Sequence, residues 1–205
     1  MEAADFWDGV YQGKRFDAVS WYAPHLDESL QRIQALTPDR HAAIVDIGGG
    51  ESTLVDDLLA LGYRKLSVLD VSATAIAFTR ARLGEQAQRV DWHVGDITHH
   101  DFGDRRFDLW HDRAVFHFLT EPAARAAYVA RVRAAVRPGG HVLMATFGPD
   151  GPLKCSGLDV VRYDDQRLHR EFGAGFTLVE SRLTSHQTPM NTHQQFLYCW
   201  CRVNG

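Results

Sequence analysis

Residues 45–53 read VDIGGGEST, and the rest of the chain is arranged around them. An apolar run over residues 42–47 leads into Gly48, Gly49 and Gly50, and then into Leu54, Val55, Leu58, Leu59 and Leu61, which recur with helical spacing. The pattern predicts a buried strand, a tight turn and a helix. Glycines at such a junction let the backbone pass close to a ligand, and the start of the helix offers N–H donors with no partner in the helix.

Outward from this turn the alternation continues. Strands are expected at 66–70, 90–94, 107–110 and 141–147. Helices are expected at 53–61, from the N-cap Ser72 to the C-cap Gly84, and at 122–136 after Thr120, where Pro138, Gly139 and Gly140 break the last of them. Strands alternating with helices predict an α/β fold around a parallel sheet. After Phe147 the pattern changes. Residues 148–162 form a Gly- and Pro-containing loop longer than the usual connection of about six residues, followed by a helix at 164–172 and strands at 176–183 and 195–203. With no helical crossover between them, those two strands form an antiparallel pair at the end of the sheet. Ahead of the turn, residues 1–25 carry Phe6, Trp7, Tyr11, Phe16, Trp21 and Tyr22, with a short helix around 4–11 and another at 26–36. Trp7 and Tyr11 share a helix face, either as an apolar anchor onto the domain or as a ligand contact.

The 205 residues, 45% of them apolar, suit one domain spanning 1–205. Against 26 Asp and Glu stand 22 Lys and Arg, a net charge of −4 that gives no overall attraction to nucleic acid or an anionic membrane. No apolar run approaches the ~18 residues of a membrane span, and the first residues do not read as a secretion signal. Cys155, Cys199 and Cys201 form neither a disulfide framework nor a C-x-x-C pair. A cytoplasmic protein is expected.

In open α/β sheets ligands bind at the carboxyl ends of the strands. Here those ends carry the three glycines, then Asp70, then Gly95, Asp96 and Ile97, then His111, Asp112 and Arg113. A carboxylate about twenty residues beyond the glycines is placed to accept both hydroxyl protons of a ribose. A dinucleotide would need glycine at Thr53 and would bring its pyrophosphate against Glu51. S-adenosylmethionine has no phosphate and carries an ammonium and a sulfonium, so it suits these residues better.

At this point the chain resembles the class I S-adenosylmethionine-dependent methyltransferases over nearly its whole length. Their first motif stands here as Asp46, Gly48, Gly50 and Ser52, with Ser52 in place of the usual third glycine. Asp70 matches their ribose acid, Asp96 in GDI their adenine-side acid, and Pro138 to Gly140 the turn before strand 5. The resemblance implies a Rossmann-like, seven-stranded, mostly parallel sheet with an antiparallel last strand and helices on both faces. It also implies a cofactor site built from Asp46, Gly48, Gly49, Gly50, Ser52, Asp70, Val71, Ser72, Asp96, Ile97 and the backbone of His111, under a cap formed by residues 1–40. The pattern of Trp7, Tyr11 and Trp21 looks like that of small protein-lysine methyltransferases, whose matching aromatics close over the cofactor. FDLWHDRAVFHFL looks like thiopurine and thiol methyltransferases, in which the arginine matching Arg113 lies beside the substrate.

The expected reaction is in-line transfer of the methyl group to a small-molecule thiol or amine, with a protein lysine as the alternative acceptor and a non-catalytic cofactor-binding module as a third reading. Arg113 is the candidate for positioning the substrate, unless it pairs with Asp112 or Asp108. Cys155 is either a substrate-contacting thiol or an inert one. His117 is either a general base or a half-buried helix histidine. Phe116 and Phe118 are expected to pack rather than bind. His99 and His100 beside Asp101 lack the partner spacing of a metal site, so none is expected.

Overall fold

The computed structural model describes residues 3–205. Its centre is a seven-stranded sheet of β1 (Ala43–Ile47), β2 (Lys65–Asp70), β3 (Val90–Val94), β4 (Phe107–Arg113), β5 (Val136–Phe147), β8 (Phe176–Gln187) and β9 (His193–Val203). The strands lie in the order β3-β2-β1-β4-β5-β9-β8, and β9 alone runs opposite to the other six, antiparallel to both β5 and β8. The chain winds outward from β1 through α3 (Leu54–Ala60) to β2 and through α4 (Ala73–Leu83) to β3. It then returns to place β4 on the other side of β1. That reversal opens a crevice between the carboxyl ends of β1 and β4, where doubly wound sheets bind their ligands.

Side chains on a strand alternate between faces, and this divides the core in two. Ile44 and Leu109 pack with Leu26, Ile33, Leu54, Leu58 and Ile76 of α2 (Asp27–Leu36), α3 and α4 or their flanks. Val45, Ile47 and Trp110 pack on the other face with Tyr128 and Val132 of α5 (Pro122–Ala135) and Leu168 and Phe172 of α6 (Asp165–Phe172). The same parity sends Asp46, His111 and Arg113 toward α2, and Asp112 toward α5.

Several boundaries differ from the sequence reading. β5 begins at Val136 rather than His141, because Val136 pairs with Phe107 and the chain bulges through Arg137, Pro138, Gly139 and Gly140 before His141 pairs with Leu109. β4 continues past Trp110 to Arg113, and β8 runs to Gln187, held in an eleven-residue ladder against β9. The long loop after β5 is not wholly irregular: β6 (Lys154–Cys155) and β7 (Leu158–Asp159) form a small hairpin. Its turn residues Ser156 and Gly157 are at φ 50° and 82°, the left-handed pair that a two-residue hairpin requires. Ahead of the sheet, α1 (Ala3–Gly13) has no buried residue. No helix of the described residues is long and apolar enough to cross a membrane.

Candidate active site

The turn after β1 is held by the protein's own packing. Gly48 lies at φ +69°, with Val115 filling the place of a side chain, and a Cβ on Gly50 would stand 2.6 Å from both Ala75 and Asp70 Oδ2. The Gly50 N–H donates to Asp70 Oδ2 at 2.9 Å and the Ser72 N–H to Asp70 Oδ1 at 2.8 Å. These two bonds fix the plane of the Asp70 carboxylate at the end of β2. Burial, partly offset by those bonds, pushes its pKa up to about 6. Ser72 also caps α4 by accepting from the Ala75 N–H, and its hydroxyl donates to Asp8 of α1. Asp8 accepts the Thr74 N–H as well, at 3.0 Å, so α1 is pinned to the start of α4.

Two cavities meet here. The larger, about 280 Å³, runs from Asp70, Val71, Asp96 and Ile97 past Gly48 to Arg113 and Cys155, under Trp7, Tyr11 and Trp21. The smaller, about 40 Å³, lies among Asp46, Gly49, Glu51, Ser52 and His111. Trp7 stacks edge-on against Trp21 and Phe118, with ring centroids 5.9 and 5.2 Å apart, so the N-terminal aromatics form one wall of the larger cavity. Asp96 anchors its own loop, accepting the N–H and hydroxyl of Thr98 at 2.8 and 2.7 Å.

The side chain of His111, expected to contribute only backbone, is fully buried in a relay. Its Nδ1 is 2.7 Å from Asp46 Oδ1 and its Nε2 2.9 Å from Ser29 Oγ. Ser52 accepts the Leu54 N–H at the start of α3, so the position expected to hold a third glycine braces the helix.

Arg113 makes neither of the ion pairs foreseen for it. Asp112 accepts from Tyr128 Oη and from the N–H groups of Val115 and Phe116, and Asp108 pairs with Arg137. Arg113 instead donates to the Trp21 carbonyl at 3.0 Å and lies over the Phe196 ring, 4.6 Å from its centroid. Among the described residues no carboxylate is within ion-pair distance of it. His117 and His186 near it are held neutral, with pKa values pushed down to about 3 and about 4 by burial and then by Arg113 itself.

Two other expectations are corrected. His117 is fully buried in a 3-10 turn rather than half-buried on a helix, where its Nδ1 accepts the Phe147 N–H. Phe118, expected only to pack, forms part of the cavity wall. Cys155 faces the cavity but is buried, and burial pushes its thiol up to about 11, so it stands there as a neutral side chain. Glu51, not expected among the site residues, lines the smaller cavity. Its position next to Gly50 was the signal that could have placed it in the site.

The residues fit S-adenosylmethionine: Asp70 is buried at the end of β2 with its carboxylate held by two N–H donors, Asp96 lines the same cavity, and the buried carboxylates Asp46 and Glu51 line the space beside the glycine turn. A family model described as a methyltransferase domain matches residues 44–140, the segment that carries these features. Residues 44–140 thus form a methyltransferase domain, and the chain has the Rossmann-like fold of the class I S-adenosylmethionine-dependent methyltransferases. S-adenosylmethionine is the cofactor of this methyltransferase. It is similar to EEF1A lysine methyltransferase 2 of Danio rerio, 26% identical over 159 residues that cover 69% of this chain and 67% of that one. It spans only 16–25% of three other curated relatives, eEF1A lysine and N-terminal methyltransferases. Among solved structures, one tied to conversion of a disulfide bond into a thioacetal group during echinomycin biosynthesis has a TM-score of 0.79 at 20% identity, covering 98% and 93% of the two chains. The 1,6-didemethyltoxoflavin-N1-methyltransferase of Burkholderia thailandensis gives 0.74 at 23% identity, covering 98% and 86%. At these identities the structural neighbours speak to the fold alone.

Proposed function

We propose that this methyltransferase acts on a small molecule with an electron-rich thiol or amine nucleophile, anionic at or near the atom that is methylated. The observation that carries the reading is Arg113, a half-buried guanidinium in the cavity wall with neutral histidines around it and no carboxylate partner among the described residues. A cation so placed stabilises an anionic acceptor or a thiolate, and it repels the ammonium of a lysine side chain. The cofactor supplies an electrophilic methyl group and a neutral thioether as leaving group. The chain aligns the nucleophile and keeps water out with Trp7, Tyr11, Trp21 and Phe118. A thiol acceptor loses its proton more readily beside Arg113, and the neutral Cys155 offers no competing nucleophile at ordinary pH.

A protein-lysine acceptor is the second reading, favoured by the aromatic wall, which suits an alkylammonium, and by the lysine methyltransferase relative. Incubating the protein with methyl-labelled S-adenosylmethionine and a fractionated cell extract separates the two. Label is expected in the small-molecule fraction, and label confined to a protein band refutes the proposal. With the acceptor in hand, Arg113→Met is expected to lower kcat/KM by about 10- to 100-fold while leaving cofactor affinity within about twofold.

A further inference from the structure

The small cavity beside the glycine turn contains two carboxylates whose bonding is incomplete. Asp46 is 4% exposed and Glu51 8% exposed, and both line this cavity. Asp46 Oδ1 is engaged by His111, but Asp46 Oδ2 and Glu51 Oε2 are buried with no hydrogen-bond partner. Buried acceptors left unpaired are costly. The complementary ligand is a compact cation with several N–H donors. A space of about 40 Å³ holds a few heavy atoms, since one water needs about 10–15 Å³ by the same measure. It fits a primary ammonium and its α-carbon, and it is too small for a nucleoside.

Resting on the methyltransferase reading above, we propose that Glu51 is the anchor for the cofactor's α-ammonium, and that the cofactor's arrival drives a proton from Glu51 into solvent. Asp46 Oδ1 is already committed to the His111–Ser29 relay, whereas Glu51 Oε2 is buried without a hydrogen-bond partner among the described residues. The charged and titratable groups around Glu51 come from five elements: Asp46 on β1, Asp70 on β2, Arg82 on α4, Tyr11 on α1, and His111 and Arg113 on β4. Burial is the largest influence and pushes the Glu51 carboxyl up to about 7. Arg82 opposes this and Asp70 adds to it. Glu51 in the ligand-free protein is therefore close to half protonated at neutral pH. An ammonium against Oε2 favours the carboxylate, and the displaced proton leaves with no bond made or broken elsewhere. Affinity for the cofactor should then weaken as pH falls below about 7, by up to about tenfold per pH unit.

S-adenosylhomocysteine carries the same ammonium without the sulfonium charge, so it isolates this contact. Its binding is measured by titration calorimetry at pH 6, 7 and 8, each in two buffers of different ionisation enthalpy. The wild-type protein is expected to release most of a proton per ligand at pH 6, about half at pH 7 and little at pH 8. Glu51→Gln is expected to abolish the release at pH 7, where Asp70 is already ionised, and to weaken binding at pH 8 by about tenfold or more. Asp70→Asn, tested because Asp70 also has a raised pKa, should retain the release. Wild-type binding without proton release overturns the proposal with no variant needed, as does release at pH 7 that survives in Glu51→Gln. No S-adenosylhomocysteine binding by the wild type would instead strike the methyltransferase reading on which the proposal rests.

Discussion

Gly48 shows how tightly single residues are specified at the turn. At φ +69° a side chain is strained, and the same side chain would occupy the space of Val115. Gly48→Ala is expected to cost about 2–4 kcal/mol of stability by urea denaturation. Adding Val115→Ala should recover the steric part of that loss and leave the backbone part. The sequence marked this glycine as a place where a ligand comes close. That the protein itself comes close was not legible, because Val115 follows β4 and meets Gly48 only once β4 has paired with β1. The roles of the WHDR residues were hidden for a related reason. Residue types alone made Asp112 a partner for Arg113, whereas strand parity sends the two to opposite faces, Asp112 to Tyr128 and Arg113 to Phe196.

At the scale of elements, α1 stands apart. It contributes no buried side chain, and Asp8 joins it to Ser72 and Thr74 at the start of α4. Asp8→Ala should therefore change global stability by less than about 1 kcal/mol. It should speed dissociation of S-adenosylhomocysteine several-fold and accelerate hydrogen exchange of the α1 amides, because Trp7 and Tyr11 close the cavity only while the helix is docked. Unchanged dissociation would mean that α1 does not retain the ligand. The order and kind of the elements were largely legible in the alternation of apolar runs. Their ends were less so, since Pro138, Gly139 and Gly140 carry the chemistry of a stop while the pairing of Val136 with Phe107 carries the strand through them. The β6–β7 hairpin was hidden because its strands are two residues each, too short for any periodicity.

For the whole molecule, acid acts on several buried groups in opposite directions. Burial holds His117 neutral in the fold, with its pKa pushed down to about 3 from an ordinary 6.5. The unfolded chain therefore takes up that proton first, and stability falls as pH drops from 6.5 toward 3. Asp112 and Asp70, both pushed up to about 6 from 3.8, protonate first in the fold, so between pH 6 and about 4 they work the other way. The wild-type profile should be flattened by this opposition. His117→Gln, which keeps an acceptor for the Phe147 N–H, should gain stability relative to wild type as pH falls from 6.5 to 4, by up to about 1.4 kcal/mol per unit. Chemical denaturation across that range tests it, and a constant difference would show that His117 is not held neutral. The aromatic wall has a practical side. Trp7 and Trp21 stand edge to face at the cavity, while Trp110 is sealed on the opposite face of the sheet with its indole N–H on Tyr128. Of the protein's five tryptophans, Trp7 and Trp21 thus serve as built-in optical reporters of the site's polarity, and Trp110 as one of the core.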